Sequence, residues 1–180
     1  MILIMSMSLS EALWTMATRS RTLAAGEHAF HRDDPVSVLF VVVEGRINLL
    51  RFSEAGAAIV LQRAGAGDIL AEASLFSERY HCDAVADTPA SLLCIPKRRF
   101  RGRIRSDPDF AEAWARHLGR EIQITRLRSE VLSLKTVAAR FDAWLAWHGE
   151  APAKGEWKQL AHEIGVSPEA LYRELAKRRN

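Results

Sequence analysis

Glu169 and Arg173 stand four residues apart in the segment GEWKQLAHEIGVSPEALYRELAKRRN, which begins at Gly155. On a helix this spacing puts both side chains on one face, one turn apart. A guanidinium placed there can donate two hydrogen bonds to guanine O6 and N7, and a carboxylate can accept one from cytosine N4. Ser167, Tyr172 and Lys177 flank the pair with hydroxyl and ammonium groups suited to phosphate oxygens. Pro168 sits among them and bears on sequence preference. Two short helices must hold these groups. Leu160, Ala161 and Ile164 give the first an apolar stripe, Gly165 supplies a left-handed turn residue, and Val166 plugs the corner. Ser167 is the N-cap of the second helix, Pro168 its first residue, and Ala170, Leu171 and Leu175 its buried face. This is the layout of a helix-turn-helix that enters the DNA major groove. A helical hairpin built only for packing carries the same punctuation, so the segment alone leaves both readings open.

No other constellation points to catalysis. The six histidines (His28, His31, His81, His117, His148, His162) are scattered without HExxH, and no GxSxG, phosphate loop or dinucleotide glycine pattern occurs. No enzyme, metal site or cofactor is expected. Cys82 and Cys94 form no CxxC, which fits a reducing compartment. An iron–sulfur cluster needs several cysteines, and none precedes Cys82. His81 and Cys82, read as neighbours on a strand, point to opposite faces and cannot share one ion. Cys82 is then a wall residue, with a thiol sensor as the rival role.

Charge is nearly balanced, 25 basic against 22 acidic residues, but unevenly placed. Lys97, Arg98, Arg99, Arg101, Arg103 and Arg105 crowd one acid-free run, read as solvated surface. Lys177, Arg178 and Arg179 abut the second helix of the motif and read as phosphate contacts. The opening MILIMSMSLSEALW lacks the basic start and cleavage signal of a leader, and Ser8, Ser10 and Glu11 mark an amphipathic helix instead. No segment nears the roughly 20 apolar residues that cross a bilayer, so a soluble cytoplasmic chain with no membrane partner is expected.

The remaining elements follow from periodicity. From about Arg21 to Pro96, short valine-rich strands alternate with glycine turns at Glu44-Gly45, Gly56 and Gly65–Asp68, implying a sandwich, barrel or roll. Asp107-Pro108-Asp109 opens a long helix reaching at least Leu134. Its stripe through Phe110, Ala113, His117, Arg120, Ile124, Leu127, Val131 and Leu134 is paired with a second through Trp114, Leu118 and Ile122. From Arg120 onward the first stripe suits a symmetric coiled-coil seam, with an ordinary core helix as the alternative. Thr136–His148 forms a further amphipathic helix, and residues 149–155 a linker. The fold expected is α+β: a sensor roll with an N-terminal helix over 1–107, a long dimerisation helix over 108–135, and a helix-turn-helix unit over 136–180.

The strand pair FVVVEGRINLL from Phe40, GDIL from Gly67, AEASLF from Ala71, PDF…REIQIT in the long helix and GVSPEALYR, in that order, resemble the Crp/Fnr family of bacterial transcription regulators. The resemblance implies a jelly-roll β-roll of the cyclic-nucleotide-binding type and a homodimer joined through Arg120, Ile124, Leu127, Val131 and Leu134. It also implies a palindromic DNA site with half-sites about 34 Å apart. RNA polymerase and an unknown small-molecule effector are further implied partners. In cyclic-nucleotide-binding members a glycine and a glutamate hold the ribose and an Arg-Ser pair binds the phosphate. Here Ala71 and Glu72 occupy the first two positions and Tyr80 and His81 the second two, with Arg79 and Cys82 on either side. Because a one-residue slip on a strand reverses a side chain's face, Arg79 is not an automatic substitute, and a buried phosphate anion without a cation is costly. Thr125 matches the residue that touches adenine, followed by Arg126 instead of a small hydroxyl residue. The effector expected is therefore something other than cyclic AMP, or none. Relatives continue into a β-hairpin wing that the sequence up to Asn180 does not supply, so a wingless DNA-binding unit is expected. The rival is a dimeric ligand-sensing or protein-interaction module that does not bind DNA, in which Arg173 and the basic tail would have no task.

Overall fold

Between Arg19 and Pro96 the valine-rich, glycine-punctuated sequence folds into antiparallel strands, as the alternation requires. The computed structural model describes residues 8–54, 56, 58–70 and 72–178. The strands are β1 (Arg19–Leu23), β2 (His28–Phe30), β3 (Val38–Glu44), β4 (Ile47–Phe52), β5 (Ala58–Ala64), β6 (Ile69–Leu70), β7 (Asp83–Ala86) and β8 (Ala90–Pro96). They form two four-stranded sheets, ordered β1-β8-β3-β6 and β2-β7-β4-β5. The crossovers between them make a jelly roll. Leu39, Val42, Ile47, Leu70, Leu92 and Ile95 are buried in its interior. On the outer strand β5, Ile59 is exposed and Leu61 largely so. The turn from β3 to β4 rests on Gly45, at φ +83°, where a Cβ would lie 2.2 Å from the Pro89 carbonyl oxygen and 2.7 Å from Ala90 Cα. Only a residue without a side chain lets this turn lie against the start of β8.

Helices flank the roll. In α1 (Leu9–Met16) Ser8 and Glu11 make the reciprocal capping box, and Ala12, Leu13 and Met16 are buried, as the sequence predicts. Residues 1–7, with most of the apolar opening, lie outside the described residues. The basic run is itself a helix, α2 (Lys97–Ser106), which the sequence reading treats only as a charged surface. It holds one fully buried large side chain, Phe100, which meets Phe110 and Trp114 edge-on at centroid distances of 5.3 and 4.7 Å. One anchor among six cations leaves no apolar repeat to detect.

The long helix α3 spans Pro108–Ser133, capped by Asp107 through the Phe110 amide. It is not a segment of its own: the chain divides into two compact units, residues 1–116 and 117–180, with the boundary inside α3. The reason is in its contacts. Phe110 and Trp114 pack on Phe100, whereas Val131 belongs to the core of the second unit. That unit continues with α4 (Val137–His148), α5 (Trp157–Glu163) and α6 (Pro168–Lys177). Its core gathers Val131, Phe141, Leu160, Ala161, Ile164, Leu171 and Leu175. The linker before α5 is tied down where Trp157 Nε1 donates to the Pro152 carbonyl at 3.0 Å. No helix among the described residues is long and apolar enough to cross a membrane.

Candidate nucleic-acid interface and effector segment

The turn between α5 and α6 is over-determined. Leu160, Ala161 and Ile164 bury one face of α5 and its C-terminal cap, and the chain reverses at Gly165, φ +67°. The Val166 amide then donates back to the Ala161 carbonyl at 2.9 Å, closing the helix end. From α4, Arg140 Nη1 donates to the carbonyls of Ile164 (3.1 Å) and Gly165 (2.7 Å), while Nε and Nη2 reach Leu134 and Leu132. One guanidinium thus satisfies carbonyls at the C-terminal end of α3 and in the α5–α6 turn. The sequence gives no signal for this role, because Arg140 reads as one more surface cation.

Ser167 caps α6 by accepting from the Ala170 amide at 3.2 Å, and Pro168 stands at its start. Leu171 and Leu175 are buried, which turns Glu169, Tyr172, Arg173 and Lys177 outward into exposed positions. Glu169 is held below the usual carboxylate range by its own backbone amide, then by the Ser167 hydroxyl, with a smaller attraction from Arg173. It is therefore an anionic acceptor at the positive end of the helix dipole, one turn from a guanidinium. Tyr172 leans on Trp157, ring centroids 6.0 Å apart.

The basic tail is smaller than the sequence suggests. Arg178 donates to Asp142 at 2.5 Å and to Glu174 at 2.8 Å, and its guanidinium lies 4.9 Å over the Phe141 ring. It fastens α6 to α4 and is not a spare cation for phosphate. Arg179 lies outside the described residues.

The stripe read as a dimer seam also divides. Arg120 and Ile124 are exposed, but Val131 is 2% exposed and Leu127 packs beside it in the core of this unit. Leu134 lies beyond the end of α3, in the turn, with its carbonyl accepting from Arg140. An apolar stripe is buried only where another element covers it, and the core of the second unit covers α3 at Val131. The apolar side chains left outward are Ile122 and Ile124, each 51% exposed, and Leu132.

In the first unit, the segment after β6 carries the residues aligned with an effector. Ala71 lies outside the described residues. Glu72 begins one turn of 3₁₀ helix, Glu72–Ser74. Ser74 is buried, and its hydroxyl meets His81 Nδ1 at 2.9 Å. Residues 79–82 are not strand, because β7 begins only at Asp83, so alternation of faces does not govern them. Arg79 is exposed and donates to the Asp33 carbonyl at 2.6 Å. Tyr80 is a core residue: it is buried, stacks on Phe30 at 3.8 Å and donates to the Val38 carbonyl. Burial also raises the Cys82 thiol to about 11, with Asp83 and Glu72 adding to the effect. Cys82 is thus a protonated interior residue and unsuited to sensing thiol chemistry. Of the described residues aligned with the effector, Arg79 and His81 face outward, beside partly buried Glu72. Thr125 and Arg126 belong to the second unit and are exposed on α3.

Comparison with known proteins agrees with this architecture. Residues 20–107 match the cyclic nucleotide-binding domain. A global nitrogen regulator from a Nostoc species is 25% identical over 81% of this chain and 69% of its own. The N-terminal domain of a transcriptional regulator from Streptomyces coelicolor is 29% identical, with a TM-score of 0.54 over 66% of this chain and 82% of that one. The catabolite activator protein of Thermus thermophilus shares the fold at 21% identity, with a TM-score of 0.57 over 97% of this chain and 84% of that one. Residues 20–107 accordingly form a cyclic nucleotide-binding domain, and the chain as a whole is similar to Crp/Fnr-type transcriptional regulators.

Proposed function

We propose that this regulator binds DNA sequence-specifically, as a homodimer on a palindromic site. The observation that carries the reading is α6: a capped helix whose buried leucines turn Glu169 and Arg173 outward together, one turn apart. Arg173 pairs with guanine O6 and N7, and Glu169, kept ionised, accepts from cytosine N4. Tyr172 and Lys177 take phosphate oxygens, and Ser167 organises the helix end that approaches the backbone. Dimerisation uses the outward apolar side chains of α3, Ile122 and Ile124, with Arg120 beside them. Two such helices related by a two-fold axis read half-sites about one helical turn apart. The effector is a small molecule other than cyclic AMP, or none, because Tyr80 and His81 stand at the phosphate positions and Arg79 beside them donates to the Asp33 carbonyl.

The test is a binding titration of wild type and Arg173→Ala against one palindromic duplex and its single-base variants. The substitution is expected to cost about 1–3 kcal/mol on the parent site and to relax one base position. An equal loss on every duplex would contradict base readout.

A further inference from the structure

We propose that the β-roll carries a binding site for a divalent transition-metal ion of the zinc type, formed by His28, His31 and Asp83. Each offers one ligand atom, and these atoms lie within 4.8 Å of one another. A regular strand would put residues 28 and 31 on opposite faces. The pairing of β2 with β7 is irregular, however: His28 faces Val85 and Phe30 faces Ala84, a register shift within β2. Ala29 and Phe30 are consequently both buried, and the two histidines emerge on the same side, their rings stacked with centroids 4.1 Å apart. Asp83, first residue of β7, meets them there, with Oδ1 at 3.3 Å from His31 Nδ1.

That separation matters. Ligands about 2.0–2.1 Å from one tetrahedral zinc stand about 3.3–3.4 Å apart, so this edge of the polyhedron is already at length. The other two edges both run to His28 and close by rotation of its side chain, whereas Asp83, whose side chain is 14% exposed, is the fixed ligand. The frame beneath is held by hydrogen bonds. Arg21 grips the carbonyls of His28 (2.7 Å) and Ala29 (2.8 Å). Asp34 accepts from the His31 amide at 2.9 Å, and the Arg32 amide donates to Asp83 at 3.3 Å. Two imidazoles and one carboxylate select zinc, nickel, cobalt or copper over calcium and magnesium. Three protein ligands leave a fourth position for water or another donor.

The site also has a structural consequence. The turn that follows His31 is stitched to the effector segment: the Asp33 amide donates to the Tyr80 carbonyl at 2.9 Å, the Tyr80 amide to Asp34 at 3.0 Å and the Val36 amide to Glu78 at 2.9 Å. An ion bridging His31 and Asp83 therefore fastens the corner from which Arg79 and His81 project. Because the folded roll alone assembles the ligands, bound metal raises its stability by mass action.

The experiment is calorimetric titration of the untagged full chain with zinc chloride, alongside thermal melts with and without zinc. The proposal predicts one zinc per chain, an upward shift of the melt, and at least tenfold weaker binding in each of His31→Ala and Asp83→Asn, with magnesium failing to compete. His31 is exposed, so matched metal-free melts of wild type and His31→Ala establish that this variant is folded. Unchanged zinc affinity in a folded His28→Ala/His31→Ala variant would overturn the proposal, as would no zinc binding by wild type below millimolar concentration.

Discussion

At the scale of single residues, environment decides function more than identity does. Cys82 and Cys94 are both buried, and burial pushes the Cys82 thiol to about 11. The buried Cys82 thiol stays protonated at neutral pH, so it should resist iodoacetamide at pH 8 in the folded protein and react once denatured. Labelling of native Cys82 at the denatured rate would contradict that placement. Tyr80 follows the same logic: sequence alignment puts it at a phosphate position, yet its ring and hydroxyl are consumed by Phe30 and Val38. Asp142 illustrates the converse, an exposed group made useful by its partner. The Arg178 hydrogen bond holds its carboxyl below the usual range. A carboxyl depressed on folding contributes stability above its unfolded pKa, near 3.9, and loses it as pH falls through the folded value. Asp142→Asn should therefore cost less than about 1 kcal/mol at pH 7, with the difference from wild type vanishing in strong acid. Melts of the two proteins from pH 7 to 2 check this. A gap that widened toward acid would contradict it.

At the scale of elements, the sequence is legible where apolar periodicity and turn chemistry coincide, and silent where one residue does the work. The strands between Arg19 and Pro96, the Ser8 cap and the α5–Gly165–α6 turn all follow from local rules. Helix α2 does not, because Phe100 alone anchors it and six cations mask the pattern. Nor does the shared face of His28 and His31, since a register shift inside β2 cannot be seen by counting in twos. The seam on α3 is read correctly as amphipathic but extended too far, into Val131 of the core. Two turns permit a graded test. Alanine at Gly165 pays left-handed strain of about 1–2 kcal/mol, while its Cβ meets chiefly the movable Leu132 Cδ2 at 2.4 Å. Alanine at Gly45 meets backbone, at 2.2 Å, that cannot swing away. Gly45→Ala should thus destabilise by about 2–4 kcal/mol, visibly more than Gly165→Ala in denaturant melts. Equal effects would show that the β3–β4 turn does not rest on β8.

At the scale of the whole molecule, a cyclic nucleotide-binding roll and a helical unit whose last helix, α6, turns charged side chains outward share one chain. In the roll Tyr80 is a core residue and His81 is exposed, while α6 turns Glu169 and Arg173 outward together. The most direct measurement of DNA recognition by α6 is selection of bound duplexes from a random pool by the full chain at physiological salt, alone and with cyclic nucleotides, repeated with Arg173→Ala. Wild type is expected to yield an enriched palindrome, present without cyclic AMP, and the variant a motif degenerate at one position per half-site. No enrichment under any of these conditions, or the same motif from both proteins, would contradict it.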